Sequence, residues 1–277
     1  MRFPIGAMSV GDILDRGLKV LLARLPTFYA INLIVLSPII ALQLLRPELE
    51  SGELQPGQNE PLANSPVGVG LIFLATLVLN LIFSQIGNAA VLHVIAQEFV
   101  DQRVGLGQAF RFAFHRFGRL LGAAILAGLT IGLGFVLCLV PGILFFVWYI
   151  FVSQVVVVEG LKAEKALSRS KELTSGYRWR IFGILVLFIV IGMISQGSAG
   201  LLERVLPTQE SVRTDFGYTS VFIYRNYVIN VLVIQLVNIL VQTYLAVCIT
   251  LLYFDIRIRK EGFDLELAAQ QQSPHHE

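Results

Sequence analysis

The sequence has few charged residues for its length. Of its 277 residues, 21 are Lys or Arg and 19 are Asp or Glu, so only 14% are charged, whereas an ordinary soluble domain has about 25%. Hydrophobic residues make up 55% of the chain. A water-soluble fold of this length has no place for so much apolar surface. The composition therefore excludes that class and predicts an integral membrane protein.

Cysteine and histidine are also scarce, with two Cys and four His in the chain. Cys138 and Cys248 lie inside apolar runs, with no CxxC motif and no His cluster beside them. Lone thiols in such runs behave as small hydrophobic groups. We therefore expect no metal site, no structural disulfide and no cofactor. A net charge of only +2 gives no reason to expect a nucleic-acid partner.

Long apolar runs are abundant, and they favour helices over a barrel. A helix needs about 20 apolar residues to cross a bilayer, whereas barrel strands are shorter and alternate apolar with polar residues. Pro141-Gly142 predicts a tight turn between the third and fourth runs. The predicted fold class is all-α, a polytopic membrane protein with six transmembrane helices in three hairpins. The predicted spans lie near residues 27–45, 67–96, 120–139, 142–159, 181–199 and 227–253, with polar loops at 46–65 and 200–225.

Three amphipathic segments, at 8–25, 97–119 and 161–176, each precede a pair of apolar runs. We interpret them as three cytoplasmic interfacial helices. Ser9 is the expected N-cap of the first, and Gly176 is the expected end of the third. The recurrence suggests an architectural repeat of the kind found in transporters. The alternative is that any chain of hairpins and interfacial helices has this appearance.

The distribution of positive charge predicts the orientation. Seventeen Lys and Arg residues lie on the side of both termini, and four lie on the other side. The positive-inside rule therefore places both termini in the cytoplasm, in agreement with an even number of spans. We predict a single six-span membrane domain over residues 1–267 and a disordered cytoplasmic tail over residues 268–277.

Neutral polar residues form stripes on spans two and six. Two interpretations are open: hydrogen bonding between helices, or the lining of a cavity or lipid-headgroup path. Gly128 and Gly132 form a GxxxG motif, for which we expect packing inside the monomer rather than dimerisation. The candidate lining residues are Asn80, Ser84, Asn88, Gln154, Gln235, Asn238 and Gln242.

Basic and aromatic residues gather at the predicted cytoplasmic ends of the spans. We predict that they anchor the protein at lipid headgroups and order anionic lipid there, since a basic residue beside an anionic leaflet contributes about 1 kcal/mol. Near-surface ion pairs are expected to join Glu98 to Arg103, Glu159 to Lys162 and Asp255 to Arg257. The predicted anchors are Arg116, Arg119, Tyr177, Arg178, Trp179, Arg180, Arg257 and Arg259.

Three stretches carry a resemblance to a known family. They are the VPGI turn (Val140–Ile143), ALSRSKELTSGYRWRIFGILVL (166–187) and YFDIRIRKEGFDLEL (253–267). In this order and spacing they resemble the bacterial six-span proteins of the glycerophosphoryl diester phosphodiesterase membrane-domain family. The resemblance implies a multi-pass protein of the bacterial cytoplasmic membrane. It does not imply a reaction, because we expect no catalytic domain in this chain.

Two functions remain open from the sequence. The first is a non-catalytic scaffold or accessory protein that organises membrane lipid, or a protein partner of unknown identity, at the inner face. The second is a transporter or lipid-translocating protein that uses the polar stripes. No carboxylate, histidine or serine set converges in the sequence, so we do not expect an enzyme.

Overall fold

The structure is a computed structural model that describes residues 8–45, 66–99, 104–214 and 217–262. The predicted loop at 46–65, Arg103 and the predicted tail at 268–277 lie outside the described residues. The described residues form helices and one β-hairpin. In chain order the elements are α1 (Val10–Ala23), α2 (Leu25–Leu45), α3 (Pro66–Phe99), α4 (Leu106–Leu137), α5 (Leu139–Trp148), α6 (Val152–Val158), α7 (Ala163–Thr174), α8 (Arg178–Val205), β1 (Gln209–Thr214), β2 (Gly217–Phe222) and α9 (Tyr224–Glu261).

The predicted helical class is confirmed, with several helices long and apolar enough to span a membrane. Among the described residues, five helical segments are long and apolar enough to cross a membrane, and a sixth is obtained if α1 and the start of α2, which are bent by 77° relative to each other, count as one span. The five segments are Phe73–Glu98, Leu106–Leu137, Leu139–Val158, Arg178–Val205 and Tyr224–Glu261.

The predicted polar loop at 200–225 has a regular structure. Helix α8 continues to Val205, and β1 and β2 then pair antiparallel, with Gln209 opposite Phe222 and Thr214 opposite Gly217. Thr, Val, Tyr and Phe within these strands favour extended backbone. The stretch predicted as a polar loop is therefore the end of a helix followed by a β-hairpin.

Helix α1 begins and packs as its sequence predicts. The Ser9 hydroxyl accepts from the Asp12 amide, and the Asp12 carboxylate accepts from the Ser9 amide, which completes a capping box. The buried face is made of Ile13, Gly17, Val20 and Leu21. This is the face that the periodicity of the sequence indicates.

The second amphipathic segment is not a separate helix. Residues 106–119 and the following apolar run form the single helix α4, of 32 residues, so the predicted boundary near residue 119 is absent. Gly118 lies at that boundary but only weakens a helix, by about 1 kcal/mol, and no proline is present to end it. Residues 97–99 belong to the end of α3.

The turn after α4 lies at Cys138, not at Pro141-Gly142 as predicted. Cys138 has extended backbone, and α5 begins immediately after it at Leu139. Pro141 then falls in the first turn of α5, where most backbone N–H groups have no partner inside the helix and proline is tolerated. The predicted fourth span corresponds to Leu139–Val158, a segment long and apolar enough to cross a membrane, in which a turn separates α5, ending at Trp148, from α6, beginning at Val152.

Two glycines bring α4 and α5 into close contact. A Cβ added at Gly134 would lie 2.9 Å from the Gly142 Cα, and one added at Gly142 would lie 2.5 Å from the Phe135 ring. A Cβ at Gly128 or Gly132 would meet nothing within 4 Å. The expectation that the GxxxG pair packs inside the monomer was wrong, since Gly134 and Gly142 make the close approach instead.

Alanine at Gly134 should destabilise the protein, because the added methyl group meets backbone that cannot rotate away. Overpacking of this kind costs about 1–3 kcal/mol. We expect Gly134→Ala to lower the melting temperature of the purified protein in detergent. Gly132→Ala is the matched control, and it should leave the melting temperature unchanged or raise it, since alanine is the better helix former. Equal melting temperatures for the two variants would contradict the close approach.

The chain groups into two compact units by its internal contacts. The described part of unit 1 comprises residues 8–31, 85–99, 104–188 and 243–262, and that of unit 2 comprises residues 32–45, 66–84, 189–214 and 217–242. Unit 1 contains all of α1 and of α4 to α7, together with parts of α2, α3, α8 and α9.

Candidate functional site

Asp255 is a fully buried carboxylate, with 0% exposure. It accepts the backbone N–H of Met8 at 2.6 Å and forms ion pairs with Arg180 and Arg259, each at 3.1 Å. Both arginines also donate to the Met8 carbonyl, at 2.5 and 3.0 Å. These four residues, the Asp255 cluster, tie the segment before α1 to α8 and α9. A buried charge is stable only with such partners.

A second ionic cluster joins the end of α6 to α7 and α9. Arg169 pairs with Glu159 at 3.1 Å and also with Glu261. Arg257 pairs with Glu261 at 3.1 Å, and the Tyr253 hydroxyl donates to Glu159 at 2.7 Å. Burial of the Arg169 guanidinium opposes its charge, but the hydrogen bond to Glu261 and the charge of Glu159 outweigh this effect and raise the pKa of Arg169. We call these five residues the Glu159 cluster.

Two arginines of α4 bind backbone carbonyls at the end of α6. Arg116 donates to the carbonyls of Val156 and Val157 at 2.8 and 3.2 Å, and Arg119 donates to that of Gly160 at 3.0 Å. The last carbonyls of a helix lack partners inside the helix and carry partial negative charge. These cations therefore stabilise the end of α6.

The carboxylates predicted to lie at the ends of spans have other partners than those expected. Glu98 pairs with Arg24 at 2.6 Å, and Arg103 is outside the described residues. Glu159 pairs with Arg169 rather than Lys162. Asp255 pairs with Arg180 and Arg259, while Arg257 pairs with Glu261 and, at 3.9 Å, with Glu159. Of these pairs, only the two within α9, Arg257 with Glu261 and Arg259 with Asp255, could be predicted from the sequence, because their partners are four residues apart on one helix.

The eight predicted lipid anchors divide into two groups. Arg116, Arg119, Arg180, Arg257 and Arg259 bind protein groups, as described above. Arg178 and Trp179 are exposed, Trp179 at 86%, and Tyr177 is half-buried. Prediction from sequence missed Lys171, which is also exposed. The position of Lys171 on the polar face of α7 could have indicated that it is exposed.

Lys171 and Arg178 share one aromatic partner. The Lys171 Nζ lies 4.3 Å, and the Arg178 guanidinium carbon 5.2 Å, from the centre of the Trp148 ring. Within the described part of the chain, neither cation forms an ion pair with a carboxylate. The Trp148 carbonyl accepts from the Ser170 hydroxyl at 2.7 Å, which fixes α7 against the end of α5. We call Trp148, Lys171 and Arg178 the cation pair site.

An apolar groove of about 420 Å³ adjoins this site, between α5 and the start of α8. Val140, Ile143, Leu144 and Val147 line it from α5. Arg178, Trp179 and Phe182 line it from α8. The groove therefore combines an apolar wall with one of the two cations.

The predicted polar lining is distributed over both units. Asn80 and Ser84 are exposed and donate to carbonyls of their own helix, those of Thr76 and Leu81, at 3.1 Å each. Asn88 and Gln242 are exposed, Gln235 and Asn238 are half-buried, and Gln154 is buried. A shared cavity lined by these residues remains a prediction.

Within the described residues, no group of three or more His, Cys, Asp or Glu side chains could hold a metal ion. His93 stacks on Phe112, with ring centres 3.8 Å apart. Cys248 is buried and Cys138 is exposed, and both are free thiols.

Comparison with known proteins gives one family and no named relative. No curated protein and no solved structure matches the chain. The family described as "Domain of unknown function (DUF7847)" matches residues 8–254. Since the match covers the described structure from Met8 to Phe254, this chain belongs to the DUF7847 family.

Proposed function

We propose that this protein is a non-catalytic membrane protein that organises anionic lipid at its cytoplasmic face. The observation that supports this most is the division of its basic residues. Arg169, Arg180 and Arg257 are neutralised by carboxylates, whereas Lys171 and Arg178 are exposed beside an apolar groove. The ion pairs of the two clusters hold the helices of unit 1 together. The exposed cations Lys171 and Arg178 provide a positive surface for phosphate groups.

Both termini lie on the cytoplasmic side in this proposal. The excess of Lys and Arg on that side supports it. The resemblance to the glycerophosphoryl diester phosphodiesterase membrane-domain family supports the bacterial cytoplasmic membrane as the location. The three amphipathic segments would then form a basic collar at headgroup level, with α1 and α7 as its separate helices and residues 106–119 as its third part.

The hairpin of α4 and α5 can be placed in the membrane in two ways. In the six-span arrangement predicted from the sequence, this hairpin crosses the membrane and Cys138 lies outside the cell. Both arms of the hairpin are long enough for that arrangement, but a re-entrant hairpin follows if the headgroup level is set at Trp148 and Arg178. Helix α5 has ten residues between Cys138 and the cation pair site, which is about 15 Å at 1.5 Å per residue, or half of the hydrocarbon thickness.

The burial of α6 supports the same arrangement. Val152, Val155 and Val156 are at most 4% exposed, and Gln154 is 5% exposed. A helix that crosses the membrane next to lipid exposes an apolar face, whereas α6 is enclosed by protein. We therefore propose that α4 and α5 enter the bilayer and return, and that α2, α3, α8 and α9 make four complete crossings.

A lipid-translocating transporter is the alternative. Half-buried Gln235 and Asn238 on α9 support it, because they keep polar groups partly accessible along an apolar helix. The hydrogen bonds of Asn80 and Ser84 to their own helix support it less. If transport is the function, Asn238→Leu should abolish flux in a reconstituted assay while the melting temperature stays unchanged.

Anionic lipid preference tests the proposed function. The purified protein is placed in nanodiscs of equal parts phosphatidylglycerol and phosphatidylcholine, released in the mass spectrometer, and its retained lipids are counted. Because each basic residue near anionic lipid contributes about 1 kcal/mol, we expect phosphatidylglycerol to be retained at least about fivefold over phosphatidylcholine. Equal retention of the two lipids would contradict the proposal.

A further inference from the structure

We infer that the groove between α5 and α8 binds one anionic phospholipid. An acyl chain lies along α5, and the headgroup phosphate lies at Lys171 and Arg178. This inference deepens the proposed function and rests on it. It assigns lipid recognition to one defined site in place of a general positive surface.

The wall of the groove suits a hydrocarbon chain. Four aliphatic side chains of α5, at positions 140, 143, 144 and 147, lie along one face at helical spacing, and Phe182 of α8 stands opposite. From Val140 to Val147 the helix rises about 10 Å. The volume of about 420 Å³ is in the range of sites that hold small molecules, about 300–1,000 Å³. The wall offers only dispersion contacts, so its occupant must be apolar along this length.

The end of the groove suits a phosphate. Both cations lie within 5.2 Å of the centre of one ring, which places two positive charges at the same end of the groove. Glu172, the carboxylate next to Lys171, pairs with Arg169 at 3.3 Å, and Lys171 forms no ion pair with a carboxylate of the described residues. Arg178 is the first residue of α8, a helix of 28 residues, whose positive end also attracts anions.

The surroundings of the groove favour a membrane lipid over a soluble anion. Trp179 is 86% exposed at its mouth, and tryptophan is enriched at the level of lipid headgroups. Val140, at the other end, is 71% exposed, and the neighbouring Leu139 is 65% exposed. An apolar groove that opens onto an apolar surface is continuous with bilayer hydrocarbon. A free phosphate would gain nothing from it.

Two variants address the two parts of the site separately. The double variant Lys171→Gln with Arg178→Gln removes the positive charge, and Leu144→Trp fills the apolar groove. Lys165→Gln is the matched control, because Lys165 is an exposed lysine of the same helix and does not line the groove. Each variant is examined in the same phosphatidylglycerol and phosphatidylcholine nanodiscs, and its melting temperature is measured in detergent.

We expect the double variant to lose at least about fivefold of its phosphatidylglycerol retention and with it the preference over phosphatidylcholine, while phosphatidylcholine retention and the melting temperature stay unchanged. Leu144→Trp should lower retention of both lipids, and Lys165→Gln should match the wild type. If the wild type prefers phosphatidylglycerol but the double variant keeps the full preference, the site is wrong while the proposed function stands. If the wild type itself shows no preference, the proposed function fails. Should Leu144→Trp fail to fold, the double variant alone decides.

Discussion

Asp255→Asn should destabilise this protein more than the removal of any other single charged side chain in the two ionic clusters. The amide keeps the shape of the carboxylate and still accepts from the Met8 amide, but it removes the charge that Arg180 and Arg259 share. Two part-buried guanidinium groups, with side chains 23% and 28% exposed, would then share the Met8 carbonyl without a negative charge between them. Breaking a buried ion pair in this way costs about 3–5 kcal/mol. We expect a large fall in melting temperature in detergent and loss of most folded protein from the membrane.

Asp15→Asn is the matched control for this prediction. Asp15 pairs with Lys19 at 2.7 Å, but the two side chains are 61% and 59% exposed. Exposed pairs four residues apart on a helix contribute about 0.3–0.5 kcal/mol, so this variant should melt close to the wild type. If Asp255→Asn melts as Asp15→Asn does, the Asp255 cluster does not hold Met8, α8 and α9 together.

Local features of the sequence predicted local structure well. The N-cap and the buried face of α1 are confirmed, because a capping box and the helical repeat act within a few residues of each other. The predicted end of α7 is confirmed too. Gly176 has a φ of +88°, a conformation that favours glycine, and it follows the C-cap residue Ser175.

Features that depend on distant residues could not be predicted from the sequence. Asp255 contacts Met8 across 247 positions, and no periodicity indicates such a pair. Pro141-Gly142 has the composition of a turn, but proline is equally suited to the first turn of a helix, and packing of Gly142 against Phe135 decides between them. Arg180 and Arg178 look alike in the sequence. One is paired with a buried carboxylate and the other is exposed, and only the fold separates these roles.

Cys138 should resist modification from either side of the membrane. It is exposed on the protein surface at the tip of the α4 and α5 hairpin, and the other cysteine, Cys248, is buried. In the re-entrant arrangement the tip lies about 15 Å from the headgroups, in hydrocarbon. Maleimide reacts with a thiolate, which does not form there. We expect a membrane-impermeant maleimide to leave Cys138 unmodified in intact cells and in inverted vesicles, and to modify it fully once detergent is added.

Two control variants, each made in a Cys138→Ser background, establish that both faces are accessible to the reagent. Lys165→Cys on α7 should react only in inverted vesicles, and Arg204→Cys near the end of α8 should react only in intact cells, since both positions are exposed and lie on opposite sides in the proposed layout. Modification of Cys138 in intact cells would mean that the hairpin crosses the membrane and that the chain has six spans. Modification in inverted vesicles would mean that the hairpin lies on the cytoplasmic surface. Either result would also move the groove away from the inner-leaflet acyl chains, because α5 forms one wall of the groove and one arm of the hairpin.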